Sequence, residues 1–359
     1  MSAVVIPISN ADWKAINAKI INLQNNVTAL QAWQSQMQSG SLTLSTGQQM
    51  NTGDVAWMLT STALVLLMTL PGVALFYGGM CQAKNILSTV MQSYSIACMI
   101  SVMWFMFTYS LCFNTGSPVI GNAGRFWLVG TQDTKNQKSP YRLGPSSANV
   151  LDPTVPESIY MTFQLTFAII TGVLVCGSFA ERMRFEAMLI FIFFWHIIIY
   201  CPVCHSEWAP DGFLSVQGDL DYAGGNVVHI CSGFSGLAAS VVIGPRKGWG
   251  VIHMKPHNIV YTVVGGALLW VGWFGFNAGS AGGAGTAAGF AMMVTQICAA
   301  TGGFVWMLVE YFHKGKASVL GIVRWALPPR FAPYLQLAHH LPLRPRDQLS
   351  HPRRPAAAP

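Results

Sequence analysis

Residues 185–204 read FEAMLIFIFFWHIIIYCPVC, from Phe185 to Cys204. Glu186, one residue from the start, is the only acid in this run, and it holds no Lys or Arg. About 20 mostly apolar residues are what a helix needs to cross the hydrocarbon core of a bilayer. Six further stretches of this kind lie around it: 57–80, 86–113, 158–180, 222–244, 258–280 and 285–309. None of the six contains Asp, Glu, Lys or Arg. A single such run is compatible with a buried soluble helix, but seven in series are not. A membrane barrel is disfavoured too, because its strands would alternate in segments of about ten residues. The fold class expected is therefore an all-α polytopic membrane protein.

Composition agrees. Hydrophobic residues make up 52% of the 359 and charged residues 9%, against about 25% charged in a soluble domain. So little charge would not cover a water-facing surface of this size. Disordered, nucleic-acid-binding and collagen-like classes fall away on hydrophobicity alone, and no nucleic-acid partner is expected.

Basic residues in the loops set the expected orientation. Lys84 follows the first stretch, Arg182 and Arg184 the third, Arg246, Lys247 and Lys255 the fifth, and Lys314 and Lys316 the seventh. The loop between the fourth and fifth carries Glu207, Asp211, Asp219 and Asp221 with no Lys or Arg. The loop between the sixth and seventh is a short uncharged run near Ser280. The loop between the second and third, about 115–156, is long and mixed in charge. The alternation of basic loops with the others places the N-terminus outside and residues after 310 inside.

The first 50 residues lack the basic start and apolar core of a signal peptide. Trp13, Ile16, Ile20, Leu23, Val27, Leu30, Gln34 and Met37 recur at spacings of three and four. That seam suits a short coiled coil, or a single amphipathic helix lying on the membrane protein. Asn26-Val27-Thr28 is a glycosylation sequon.

Several motifs carry candidate chemistry. Cys201-Pro202-Val203-Cys204-His205 matches the haem c attachment spacing. Nothing else in the chain resembles a haem protein, so inert packing or a Cys201–Cys204 disulfide competes with that reading. Buried thiols usually behave as small hydrophobes. His229 follows Gly224-Gly225-Asn226-Val227-Val228 about two turns into the fifth stretch. Ionisable groups inside a membrane are costly and mark function by default, although a hydrogen-bonded core histidine fits equally well. His196, between Trp195 and Ile197, reads as a lipid or packing face. The sixth stretch alternates small residues with aromatics through Gly272-Trp273-Phe274-Gly275-Phe276-Asn277-Ala278-Gly279-Ser280. Its glycines let helices approach closely. Its rings either pack or line an uncharged passage for a small cation held on ring faces.

From about Gly53 to Val323 the chain closely resembles the ammonium transporters, the Amt/Mep branch of the Amt/Mep/Rh family. The matching motifs are Asp54-Val55-Ala56-Trp57-Met58-Leu59 and Pro71-Gly72-Val73-Ala74-Leu75-Phe76-Tyr77-Gly78-Gly79. Lys84-Asn85, Ala180-Glu181-Arg182-Met183-Arg184-Phe185 and Asp221-Tyr222-Ala223-Gly224-Gly225 match as well. Val227-Val228-His229, Lys255-Pro256-His257-Asn258 and the run from Gly272 to Ser280 complete the set. The resemblance implies a bundle of eleven membrane helices in the plasma membrane, N-terminus outside, assembled as a homotrimer with a pore in each subunit. It implies transport of ammonium or ammonia across the lipid bilayer, not an enzyme, with no cofactor and no metal. It also implies roles. Phe163 and Trp208 match the outer recruitment aromatics, and Ser280 their hydroxyl partner. Phe167 and Phe276 match two rings stacked across the pore. Asp221 matches an acid supporting the recruitment site, and His229 the first of two pore histidines.

The match stops after Gly321-Ile322-Val323. The family continues through an eighth helix and three more, and its second pore histidine lies in the tenth. Here the chain turns to a Pro/Arg-rich tail, 324–359, whose prolines exclude a membrane helix. His339 and His340 stand in the wrong context to replace the missing histidine. The expected layout is an N-terminal segment at 1–52, an incomplete membrane domain at 53–323 with seven helices and a broken eighth, and a disordered tail. A frameshift or truncation after Val323 is one account of the tail, and fusion to a functional basic segment another. The expectation is that the chain as written conducts poorly. The alternative to a transporter is then a non-conducting subunit that joins trimers with full-length ones. The tail holds six arginines and one aspartate, so +5 of the net +7, which leaves the first 323 residues close to neutral.

Overall fold

The computed structural model describes residues 50–131, 154–251 and 254–326, with side chains to Val323, together with Lys19, Gln24 and Val27. The chain forms two compact units, Met1–Gln48 and Gln49–Pro359. In the first unit Lys19, Gln24 and Val27 are helical and exposed. The rest of the heptad, Asn26 and Thr28 of the sequon, and the tail beyond 326 lie outside the described residues.

In the second unit, seven helices are long and apolar enough to cross a membrane. They are α1 (Thr52–Met80), α2 (Ala83–Phe113), α3 (Glu157–Ser178), α4 (185–208), α5 (Gly225–Ile243), α6 (Ile259–Ala278) and α7 (Thr286–Lys314). A short helix, Phe213–Gln217, follows α4. The segment expected as a broken eighth is the eight-residue α8 (Val319–Ala326), packed on α7 and α6.

Local chemistry explains where these helices start and stop. Helix α1 begins five residues before the first apolar stretch because the Asn51 side chain accepts from the N–H groups of Gly53 and Asp54. Helix α5 begins at Gly225, not Tyr222, because Gly224 adopts a left-handed conformation at φ 88°. Helix α7 runs to Lys314, past the apolar stretch, until Gly315 ends it at φ 73°. Five membrane helices contain a π-helical turn: Met68–Val73 with Pro71 inside, Trp104–Thr108, His196–Tyr200, Gly225–Ile230 and Phe274–Ala278. Such turns reorient side chains locally and recur at functional positions.

Helix α3 is the centre of the bundle. Of its most apolar window, 72% is buried, against 17% for α7. It packs against α1, α2 and α5, while α6 packs along α1. The small residues of α6 make that last contact. A methyl on Gly265 would meet the Gly72 carbonyl oxygen at 2.6 Å as well as the Phe76 backbone. One on Gly275 would meet the Ser61 carbonyl oxygen at 2.8 Å. The glycines therefore turn toward α1, which leaves Trp273 and Phe276 buried in the core. On α7, Phe290, Ile297, Phe304 and Phe312 remain exposed, an apolar face suited to lipid.

One network joins three connections at the other end of the helices. Glu181, in the α3–α4 connection, has a positive φ of 65°. Its Oε1 accepts from the Gln82 N–H at 2.7 Å and from Asn85 Nδ2 at 2.8 Å, and its Oε2 pairs with Arg246 at 2.8 Å. Arg182 donates to the Gly244 carbonyl at 2.6 Å. Burial pulls the Arg246 guanidinium below its ordinary pKa, and the Glu181 charge opposes that.

Overpacking a tight helix contact costs about 1–3 kcal/mol. Gly265→Ala should therefore lower the thermal unfolding midpoint of the detergent-purified protein. Gly289→Ala, where an added methyl meets nothing within 4 Å, should not lower it and should raise it slightly, since Ala is the better helix former by up to about 1 kcal/mol.

Candidate functional site

Phe163 and Phe167 lie four residues apart on α3, hence on one face. Their ring centroids are 4.9 Å apart. The π-turn of α6 brings Phe276 onto Phe167, stacked at 4.3 Å and 24°. Trp208, the last residue of α4, meets Phe167 edge-on at 5.7 Å. All four rings are buried. Ser280 is buried as well, and its hydroxyl donates to the Phe276 carbonyl at 2.8 Å.

His229 stands in the π-turn that opens α5. Its ring lies 5.9 Å from Phe276 and stacks on Trp273 at 6.1 Å and 13°. Trp208, Phe167, Phe276, His229 and Trp273 thus form a continuous column of rings drawn from α4, α3, α6 and α5. His229 also borders a cavity of about 940 Å³ between α5, α6 and α7. Asp219, Asp221, Asn226, Trp273 and Asn277 line it too. Asn277 is held by a hydrogen bond to Thr295 at 2.8 Å. Phe163, Phe167, Trp208 and Ser280 do not line that cavity.

The carboxylate of Asp221 turns to the start of α5. Its Oδ1 accepts from Gly224 and Gly225 N–H, and its Oδ2 from Asn226 and Val227 N–H, at 2.5–3.0 Å. A helix N-terminus leaves four N–H groups without partners and carries partial positive charge. One buried anion meets both demands. The Asp221 carbonyl in turn accepts the Trp208 indole N–H at 2.9 Å. The same residue therefore positions a ring of the column and the helix that carries His229.

The other sequence candidates lie elsewhere. His196 is fully buried between α2 and α4, 3.3 Å from the Thr108 hydroxyl and stacked on Tyr200 at 4.9 Å. Its packing face is protein, not lipid. Cys201 and Cys204 are buried free thiols. Both ring nitrogens of His205 face carbonyl oxygens, of Cys112 at 3.1 Å and Ser117 at 2.9 Å. His205 thus ties α4 to the end of α2 and the segment after it, and the arrangement does not fit covalent haem.

Two residues were missed by sequence reading. The Ser61 hydroxyl on α1 is buried without a hydrogen-bond partner, in the space between Gly279 and Phe163. Glu207 is buried beside Trp208, with Oε1 unpartnered. Serine is common in apolar helices, and Glu207 reads as one acid among four in a loop. Neither pattern announces an orphaned buried oxygen.

Fold and site together define a multi-pass helical membrane protein built around a buried column of aromatic rings. The model of the Ammonium Transporter Family matches residues 56–327. The chain belongs to that family. A putative ammonium transporter of Methanothermobacter thermautotrophicus is 43% identical over 278 residues, covering 77% of this chain and 64% of that protein. An ammonium transporter of Bacillus subtilis is 43% identical, covering 77% and 65%. Among solved structures, Saccharomyces cerevisiae Mep2 superimposes with a TM-score of 0.68 at 32% identity, covering 83% of this chain and 68% of that one. Candida albicans Mep2 gives 0.67 at 32%, covering 81% and 64%. The chain spans a little under two thirds of the length of the curated relatives it matches.

Replacing an ordinary N-cap by Ala costs about 0.5–2 kcal/mol. Asp221 caps four donors from a buried position, so Asp221→Ala should destabilise by about 2 kcal/mol or more in thermal unfolding of the purified protein. Asp221→Asn retains one acceptor oxygen and should fall between the two.

Proposed function

We propose that the chain acts in the transport of ammonium, with proton loss before passage as ammonia. The observation that carries this reading is the ring column ending on a membrane-embedded histidine. A small cation would be held at Phe163 and Trp208 beside Ser280, where cation–π attraction contributes up to about 2 kcal/mol once water is removed. Taking the bare ion past the Phe167–Phe276 stack would cost far more than that attraction returns. Loss of a proton removes most of the cost. His229, stacked on Trp273, supplies an imidazole on the far side of the stack, a group that accepts a proton in its neutral form. Asp221 acts on the site through α5 and Trp208, with its carboxylate spent on backbone donors. The stacked rings must separate for the solute to pass, so the observed arrangement is closed.

The reading places the protein in the plasma membrane as a homotrimer with its N-terminus outside. The basic residues in the loops after the first, third, fifth and seventh helices support that orientation.

A second reading has its own observation. Beside His229 the cavity is about 940 Å³ and open, with Asn226, Asn277 and Thr295 on its wall. This is far wider than a passage for ammonia, so the described helices alone do not enclose it. On this reading the chain is a non-conducting subunit that acts by joining full-length relatives.

Uptake of [14C]methylammonium by cells lacking their own ammonium transporters separates the two. The first reading expects uptake from the chain alone, reduced at least about tenfold in His229→Ala and in Asp221→Ala. Unaltered uptake in both variants overturns the assigned roles. The second expects no uptake alone and a changed rate when a full-length relative is co-expressed.

A further inference from the structure

We propose that His205 is a positioning residue of the ring column that acts as a doubly protonated ring, donating from both nitrogens. In that state it clasps the end of α2 and the segment after it onto the last turn of α4. The clasp stands on hydrogen-bond geometry, and its effect on uptake rests on the transport reading.

His205 is the histidine of the Cys201-Pro202-Val203-Cys204-His205 motif, and it is fully buried. Its Nδ1 lies 3.1 Å from the Cys112 carbonyl oxygen, and its Nε2 lies 2.9 Å from that of Ser117. A carbonyl oxygen only accepts. A neutral imidazole has one N–H and one lone pair, so it satisfies one of these carbonyls and turns a lone pair on the other. Changing the tautomer exchanges the two roles and leaves the same conflict. With a proton on each nitrogen, both contacts become charge-assisted hydrogen bonds.

A buried charge needs an opposite charge close by. Asp211 is in place for that. Its Oδ1 lies 3.6 Å from Nε2 and has no hydrogen-bond partner, while its Oδ2 accepts from the Gly116 N–H at 2.7 Å. Gly212 lets the chain double back here, because a methyl on it would overlap the carbonyl oxygens of His205 and Ser206. The Phe213 N–H then donates to the Pro118 carbonyl at 2.9 Å. No Lys or Arg occurs between Arg184 and Arg246. Glu207 turns to Asn226 on α5 instead, and Cys112, Cys201 and Cys204 are free thiols. His205 and Asp211 are therefore each other's counter-charge.

Trp208 lies three residues beyond His205, on the same side of α4. Cys112, which His205 holds, precedes Phe113, and the Phe113 ring stacks with Trp208 at 6.5 Å and 14°. The clasp thus fixes the two helix ends that carry this ring pair. Trp208 in turn meets Phe167 of the column.

The test is 15N NMR of the purified full chain, labelled with [15N]histidine, in detergent micelles near neutral pH. The resonance pair missing from His205→Gln identifies the residue. Both nitrogens should resonate as imidazolium N–H, a signature that a merely structural histidine would not give. A neutral pattern, with one nitrogen unprotonated, overturns the doubly protonated ring. Asp211→Asn, at a partly exposed position, keeps an acceptor for Gly116 and removes the charge. The imidazolium signature should be lost in it, and persistence overturns the pairing with Asp211. Hydrogen–deuterium exchange over residues 115–122 reads the clasp. One hydrogen bond to a charged group corresponds to about tenfold in an opening equilibrium, so exchange should rise by about that factor in both variants. Unchanged exchange in both overturns the clasp. In cells, His205→Gln should raise the half-saturation concentration for [14C]methylammonium more than it lowers the maximal rate. An unaltered half-saturation concentration overturns the positioning role. Absence of uptake by the wild-type chain, with the imidazolium signature present, overturns the transport reading and leaves the clasp standing.

Discussion

Four backbone N–H groups at the start of α5 converge on the Asp221 carboxylate. Asp221 and Val227 are buried here, and buried N–H groups need an acceptor from the protein itself. Asp221 is that acceptor, and much of the site depends on it. It sets where α5 begins, and so where the π-turn places His229. Its carbonyl anchors the indole of Trp208. Its charge is neutralised by the helix it caps, which distinguishes it from Glu207 two residues before the chain leaves α4.

The remaining geometry follows from close approach. Glycines on α6 let its backbone lie against α1, and the rings between them are turned inward onto α3. Helix α3 is the most enclosed of the seven, so Phe163 and Phe167 are held by protein on every side. At the opposite end, Glu181 ties the start of α2 to Arg246 beyond α5. Losing one member of such a buried pair leaves the other uncompensated. The motif around Glu181 is therefore accounted for by architecture, without appeal to transport.

Much of this was legible in the chain. Seven apolar runs, long enough and nearly free of charge, specify seven helices because a bilayer tolerates little else. The motifs that carried the family resemblance include Asp221, His229, Phe276 and Ser280, while Phe163, Phe167 and Trp208 were placed by the resemblance as a whole. Helix ends were less legible. Asn51 and Gly315 act through caps and a left-handed turn, which hydropathy does not register.

The sequence by itself determined the class of protein, the number of apolar spans and which loops are basic, because these depend only on length and charge along the chain. The tertiary structure decided what the polar residues do. Asp221 became a cap, His205 a tether and His196 a core residue. Glu207 became a buried acid with an unpartnered oxygen. The reason is physical: the cost of a polar atom in a membrane protein depends on its partners, and those come from other helices, tens of residues away.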